Sequence, residues 1–519
     1  MAYKTMKREQ KTVGYLKLLL KTSLIVFLSV MIAKLLNYAY KVIIARVFGP
    51  EIYGLFSLSL VIVSFFIFLA GLGLFEGLVR YVSLYRGKKD DGKIRLIINF
   101  SLKVSLITSI ISGLILFIFA EPISKQLFNN EGLIIFLKIF SIGIPFSIIA
   151  NIYLGTLRAF EKITSYTLLI NIVQNVIKVA LLATLVFFGL KSNSVIFSYL
   201  ISIIVLAIVS YLIGRGIIKK MKLAEIEDYK RKKLYMELFS YSWPLMLAGL
   251  TFNILYWCDS VIVGHYQDMA YVGYYSVAVT LVSLLAIVPD LFLQLFFPLI
   301  VRESSSDNKT LIKQLTKQVT KWIFIINFPL TLILIIFPGV IINLLFGADF
   351  LMAENALRIL SISSLLASFS SMLNSILSMR GLSKTILYNF VVFAILNIIL
   401  NLILVPKFGI NGAAFATGST WVLITLTQLF QIYRNMHFIP FRRKMFRIAL
   451  VSFIPAMILL IISLKFLATM KVLILSGISF VVVYLALIIF TRCLDKYDLD
   501  VIKSLRNKLI KGYASIISD

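Results

Sequence analysis

Between residues 22 and 491 the chain alternates long apolar runs with short breaks of charged residues, glycine and proline. A helix needs about 20 residues to cross the hydrocarbon core of a bilayer. On that measure the pattern predicts fourteen spanning helices. Six lie at roughly 22–48, 52–79, 94–119, 132–156, 163–189 and 193–217. Six more lie at roughly 237–265, 270–300, 318–342, 350–378, 385–405 and 411–434, and a last pair at roughly 446–468 and 472–491. Gly49–Pro50 ends the first run and Tyr53–Gly54 opens the second. Proline cannot extend the helix before it, so Lys41–Gly54 reads as a tight turn between two membrane-length helices. The longest break, about 215–236, is charged and helical at most, too short for an extramembrane domain. The expected fold class is an all-α polytopic membrane protein with about 14 transmembrane helices.

Charge then orients the spans. Lysine and arginine crowd alternate breaks: the N-terminal tail (Lys4, Lys7, Arg8, Lys11, Lys17), the break after span two (Arg80, Arg86, Lys88, Lys89, Lys93, Arg95), that after span six (Arg215 to Lys233), those after spans eight and twelve, and the C-terminal tail. The intervening breaks hold little beyond Lys125, Lys191, Lys407 and Lys471. By the positive-inside rule both termini are cytoplasmic, and an even span count agrees. Only 14% of the 519 residues are charged and 60% are hydrophobic, against roughly 25% charged in a soluble domain. The excess of 52 Lys+Arg over 23 Asp+Glu therefore belongs to membrane topology, and a nucleic-acid partner is not expected. The basic N-terminal tail runs directly into a full-length span without a small-residue cleavage site, so no removable signal peptide is expected. Two distant cysteines, Cys258 and Cys493, and two histidines, His265 and His437, provide neither a disulfide framework nor a metal-ligand spacing.

The chain is duplicated. At an offset of about 219 residues Val42, Ile43, Gly54, Ser57, Val63 and Ser64 fall on Val261, Ile262, Gly273, Ser276, Val282 and Ser283; at about 222, Arg158, Lys162, Tyr166 and Asn175 fall on Arg380, Lys384, Tyr388 and Asn397. A repeat of that length is a domain duplication. Six spans separate the copies, so the repeats are parallel and are expected to be related by an axis along the membrane normal, with a cavity between them. The expected organisation is an N-lobe (1–217), a cytoplasmic linker (218–236), a C-lobe (237–434), and an appended region (435–519) with the last two helices and a cytoplasmic tail.

Polar residues inside the spans mark the candidate chemistry, because an intramembrane charge needs a partner or water. Lys34, Asn37, Tyr38 and Lys41 lie at i, i+3, i+4 and i+7, one face of span one. Asn171, Gln174, Asn175 and Lys178 repeat that spacing in span five. Asn253, Tyr256, Trp257 and Ser260 of span seven are the repeat equivalents of the span-one set. Cations on one wall with amides and aromatics on the other suit a ligand with an anionic end and a sugar-like end. Snorkelling lysines, an interhelical hydrogen-bond seam and aromatic packing are the structural alternatives. Asn397 and Asn401 form a weaker stripe, read equally as seam or cavity. Asp259 and Asp290 are candidates for proton or Na⁺ coupling, or for neutralising a lysine; no other cofactor and no metal is expected. Glu76 and Arg80, at i and i+4, read as a structural pair. No catalytic set of serine, histidine and aspartate appears, and no phosphate loop, so the chain does not read as an enzyme.

Phe48–Leu74, FGPEIYGLFSLSLVIVSFFIFLAGLGL, carries a Gly-Pro-x-x-Tyr-Gly turn followed by an apolar helix ending in Gly71–Leu72–Gly73. With Gly155–Arg158, Lys162 and Lys407–Ala414, it resembles the polysaccharide-transporter flippases, within the superfamily that also holds multidrug/toxin extruders and lipid II flippases. The resemblance extends over nearly the whole chain. It implies two six-helix lobes around a cationic cavity in the cell membrane. It also implies alternating-access flipping of a polyprenyl-phosphate- or pyrophosphate-linked oligosaccharide, alongside membrane lipid and other polysaccharide-assembly proteins. Mid-span lysines in place of cavity arginines lack the bidentate fork, which disfavours a peptidoglycan precursor as cargo. The rivals are a cation-coupled multidrug exporter of the same superfamily, which calls for an anionic cavity, and a membrane glycosyltransferase or polymerase, which calls for a carboxylate in a long outer loop.

Overall fold

The computed structural model describes residues 2–219, 221, 228–293, 309–465, 470–491, 493, 495 and 498, with backbone alone for residues 2–24, 228, 309, 459, 462–465, 470–476 and 478. All regular structure among them is helical. Ten helical segments are long and apolar enough to cross a membrane. Two of these are too long for one crossing: Ile25–Gly71 has 47 residues and Ser383–Met436 has 54, which at 1.5 Å per residue is ~80 Å for the longer. Each breaks near its middle, at Gly49 (φ 78°) before Pro50 and at Gly409 (φ 58°) three residues after Pro406, and so supplies two spans. Arg443–Lys465 and Met470–Phe490 follow them. The protein is an all-α polytopic membrane protein with fourteen helices at membrane depth.

The boundaries differ from expectation where backbone geometry intervenes. Span two stops at Gly71 rather than near residue 79, because Leu72 and Gly73 both take positive φ (47° and 68°). A separate helix, α2 (Leu74–Gly87), then carries Glu76, Arg80 and Arg86. A Cβ on Gly73 would overlap the Ser242 carbonyl oxygen, so a bare backbone is needed both for the left-handed turn and for the approach of the neighbouring helix. The helix α3 (Asp91–Pro122) starts at Asp90, whose carboxylate accepts from Lys93 N at 3.1 Å, an N-cap. The linker beyond Asp228 is the first part of a helix running to Tyr266; positions 222–227 lie outside the described residues. Span nine is already helical from Lys309, where the described residues resume, rather than from near residue 318, so Lys313 and Lys317 lie on the helix Lys309–Ile336.

By contact the chain forms two compact units. Unit 1 takes the residues up to Thr280 with Leu345–Ala356 and Leu387–Thr420. Its core joins Leu74, Leu78, Val82, Ile94 and Ile98 to Leu234 and Leu238, and an aromatic group of Tyr40, Phe56, Phe140 and Tyr199 packs edge to face or tilted. Unit 2 takes Leu281–Leu344, Leu357–Ile386 and the described residues from Trp421 onward. Ile323, Phe369, Met372, Ile376 and Ile432 form its core, and Tyr484 of the last helix donates to the Ile325 carbonyl at 2.7 Å.

Candidate functional site

A polar cluster in unit 1 gathers around span one. Tyr40, fully buried, donates to Val195 O (3.2 Å) and lies 3.0 Å from Ser198 Oγ, which fixes its ring. Lys178 extends from the helix Gln174–Phe187 over that ring, 4.8 Å from its centre, and donates to Asn37 Oδ1 at 3.1 Å. The ring face attracts the ammonium electrostatically. One turn from Asn37, Lys41 donates to Thr280 Oγ1 at 3.0 Å. The Tyr38 hydroxyl donates to the Thr280 carbonyl at 2.9 Å, and that of Tyr53 lies 3.3 Å from Thr280 Oγ1. Lys178 is 7% exposed, and its partner Asn37 lies one turn from Lys41 on span one. Among the described residues, the ion pairs include neither lysine. Two cations thus sit together, inside the spans, satisfied by neutral dipoles alone.

The other expected site residues divide. Lys34, on the same face, is half-buried. Asn171 and Gln174 are half-buried too, and a π-helical turn at Leu168–Val173 rotates Asn171 away from α-helical phase with Lys178. Asn175 donates to its own backbone, at Asn171 O (2.9 Å). In span seven Asn253 and Ser260 are buried, and Asn253 Oδ1 accepts from Ser64 Oγ at 3.2 Å. Tyr256 and Trp257 are exposed, with the Tyr256 ring 4.4 Å from that of Phe252 and tilted 35° to it. Asp290 belongs to unit 2 and is exposed. Glu76 meets Arg158 at 3.5 Å, and the Arg80 guanidinium lies 4.1 Å over the Tyr241 ring. The expected Glu76–Arg80 pair gives way because two of the helices packed against α2, Gly132–Ala159 and Asp228–Tyr266, each offer a better-placed partner.

Asp259 lies at a second polar centre of unit 1. It is 2% exposed and accepts from Tyr275 Oη (2.5 Å), Thr417 Oγ1 (3.2 Å) and Ser260 N (2.7 Å). Nearby, Asn397 donates to Thr417 and Thr420 Oγ1 at 3.3 and 3.4 Å, and Asn401 donates to Asn397 Oδ1 at 3.2 Å. Asn401 Oδ1 is buried without a hydrogen-bond partner. A buried carboxylate met by two hydroxyls, with Asn397, Thr420 and Asn401 joined to it through Thr417, is an oxygen-rich setting of the kind a small hard cation or a proton favours. The stripe of Asn397 and Asn401 is therefore a seam that also lines this centre. Thr280, Tyr40 and Thr417 have no local sequence signal as site residues; Tyr53 has one, its place in the Gly-Pro-x-x-Tyr-Gly turn.

Residues 19–304 match the family model described as polysaccharide biosynthesis protein, and residues 244–403 match the MatE model. An uncharacterised membrane protein of Methanocaldococcus jannaschii is 27% identical over 460 residues, covering 83% of this chain and 87% of its own. A probable low-salt glycan biosynthesis flippase of Haloferax volcanii is 24% identical over 52% of this chain and 55% of its own. Among solved structures, the lipid II flippase MurJ in an inward closed conformation aligns with a TM-score of 0.71 at 20% identity, over 90% of this chain and 99% of its own. An inward-facing multidrug transporter of the MATE family aligns with a TM-score of 0.64 at 17% identity, over 80% and 98%. At these identities the solved structures speak for the fold.

Proposed function

We propose a lipid-linked oligosaccharide flippase, from one premise: the chain belongs to the polysaccharide biosynthesis protein family. It is a multi-pass membrane transporter and not an enzyme. The cargo is a polyprenyl-phosphate- or pyrophosphate-linked oligosaccharide, moved between the leaflets of the cell membrane by alternating access of the two repeats, with both termini cytoplasmic. The observation that carries this reading is the pair Lys41 and Lys178, which meet Thr280 and Asn37 but no carboxylate among the described residues. Carrying a phosphate through a low-dielectric region is costly unless its charge is met. Two lysines inside the spans meet it, and the half-buried Lys34, Asn171 and Gln174 extend the polar surface toward the sugar. A relative described as a glycan biosynthesis flippase supports the same cargo class. A drug exporter of cationic compounds fits poorly, since such a cargo would be repelled by these lysines.

The test is reconstitution in liposomes with a fluorescent prenyl-diphosphate-linked oligosaccharide, following leaflet transfer. Wild-type protein should accelerate transfer, and Lys41→Ala should slow it by about tenfold, the effect of ~1.4 kcal/mol. Absence of transfer by wild-type protein, or full transfer by Lys34→Ala, Lys41→Ala and Lys178→Ala alike, would end this reading.

Asp259 supports coupling to a proton or Na⁺, because a buried carboxylate without a cationic side chain is neutralised by binding one. On that basis Asp259→Asn, similar in shape but uncharged, should make transfer independent of imposed proton and Na⁺ gradients. Retained gradient dependence in this variant would remove Asp259 from coupling.

A further inference from the structure

The repeat-equivalent glycines meet. A Cβ on Gly54 would overlap the Met269 carbonyl oxygen and come within 2.9 Å of Gly273 N; a Cβ on Gly273 would overlap the Pro50 carbonyl oxygen and come within 3.3 Å of Gly54 N. Pro50 and Met269 are themselves separated by the repeat offset of 219. Each glycine therefore faces the equivalent of its own neighbour, and the two backbones cross about a local two-fold axis. Only hydrogen atoms fit at such an approach, as in small-residue crossings of membrane helices.

The crossing continues toward the lysine cluster. Val277 and Thr280 follow Gly273 by four and seven residues and so share its helix face; Val277 is fully buried. Thr280 accepts Lys41 on its hydroxyl and Tyr38 on its carbonyl, and Tyr53, next to Gly54, reaches the same hydroxyl. One threonine of the second repeat thus binds three side chains of the first, two helical turns from the glycines. The crossing lies beside the Gly49–Pro50 turn, at the end of the spans remote from the basic loops.

We propose that the Gly54–Gly273 crossing, latched by Thr280, is the gate that closes the transport path at that end, and that a phosphate group opens it by drawing Lys41 off Thr280. The second clause rests on the flippase reading; the first does not. Closure needs two smooth backbones, and release needs the single acceptor that ties the phosphate-binding lysine to the crossing. The duplication explains the symmetry, since one Gly-to-Gly correspondence serves both sides of the gate.

Thiol accessibility tests it. Val277→Cys is introduced and the protein is placed in lipid nanodiscs, where both faces are open to a membrane-impermeant maleimide; the unsubstituted chain, with Cys258 and Cys493 buried, gives the background. Gly54→Leu or Gly273→Leu should raise the rate of labelling about tenfold, and the double variant no further, because both fill one crossing. Thr280→Val, which keeps the side-chain shape, should raise it at least about threefold, because it removes the hydroxyl that both Lys41 and Tyr53 reach. Gly216→Leu, at a glycine with open space around it, should leave it unchanged. Farnesyl diphosphate should raise labelling in the Val277→Cys protein but not after Lys41→Gln. Unchanged labelling in both leucine variants overturns the gate; should these fail to assemble, unchanged labelling in Thr280→Val does so. Opening by the leucine variants without any response to the diphosphate keeps the gate and overturns the phosphate trigger; the flippase reading itself is decided separately, by leaflet transfer.

Discussion

Lys178→Ala should reduce leaflet transfer about thirtyfold or more, the equivalent of the ~2 kcal/mol at the low end of the cost of truncating a buried charged partner. The reason lies in its setting. Its ammonium is fixed by the Tyr40 ring and Asn37, and Tyr40 is fixed in turn by Val195 and Ser198. The charge is therefore held in place before any cargo arrives, and little ordering remains to be done when a phosphate binds. Lys178→Arg should retain much of the activity and Lys178→Gln little, since charge is what the phosphate requires. Removing the Tyr40 hydroxyl (Tyr40→Phe) should have a smaller effect, because the ring face remains. If Lys178→Gln transfers cargo as well as wild type, the lysine serves packing, and the phosphate is met elsewhere.

The largest effect on stability is expected at Lys321, in unit 2. Lys321 is fully buried and pairs with Asp495 (2.9 Å) and Asp498. Arg442 and Lys444 also pair with Asp495, and Trp322 Nε1 donates to Asp498 at 2.7 Å. Residues after the last helix are thereby bound to span nine and to the segment that precedes Arg443–Lys465. Lys321→Ala would leave the buried Asp498 without its cation, at a cost of about 3–5 kcal/mol. Thermal unfolding in detergent, followed by tryptophan fluorescence, should show a clear fall in midpoint. Adding Asp495→Asn and Asp498→Asn should recover much of it, since a neutral cluster has no unpaired charge. A triple variant no more stable than Lys321→Ala would refute this account.

The same cluster sets an acid limit. Burial works against ionisation of Asp495, but hydrogen bonds from Lys444 and Lys321, with their charges, outweigh it and draw the carboxyl from 3.8 to about 2. A carboxyl lowered on folding stabilises the protein above its unfolded value and loses that contribution as pH falls through the folded value. The unfolding midpoint should therefore decline between about pH 4 and pH 2, and Asp495→Asn should flatten that decline.

Sequence alone determined the spans, because membrane partitioning is local: each run of about 20 apolar residues must cross, whatever surrounds it. It also determined the break at Gly49–Pro50, which depends on residues close along the chain; the repeat and the lysine-bearing faces are legible as patterns, but the π-helical turn at Leu168–Val173 takes Asn171 out of the span-five stripe. Partners were decided only by tertiary structure. Lys41 reaches Thr280 across 239 residues, and Lys321 reaches Asp495 across 174; no periodicity records such distances. The expected Glu76–Arg80 pair illustrates the limit, since i, i+4 spacing offers a contact that packing replaced with Arg158 and Tyr241. Likewise Gly54 and Gly273 were legible as equivalents in the repeat, yet their contact emerged only when two helices packed close enough to exclude a side chain.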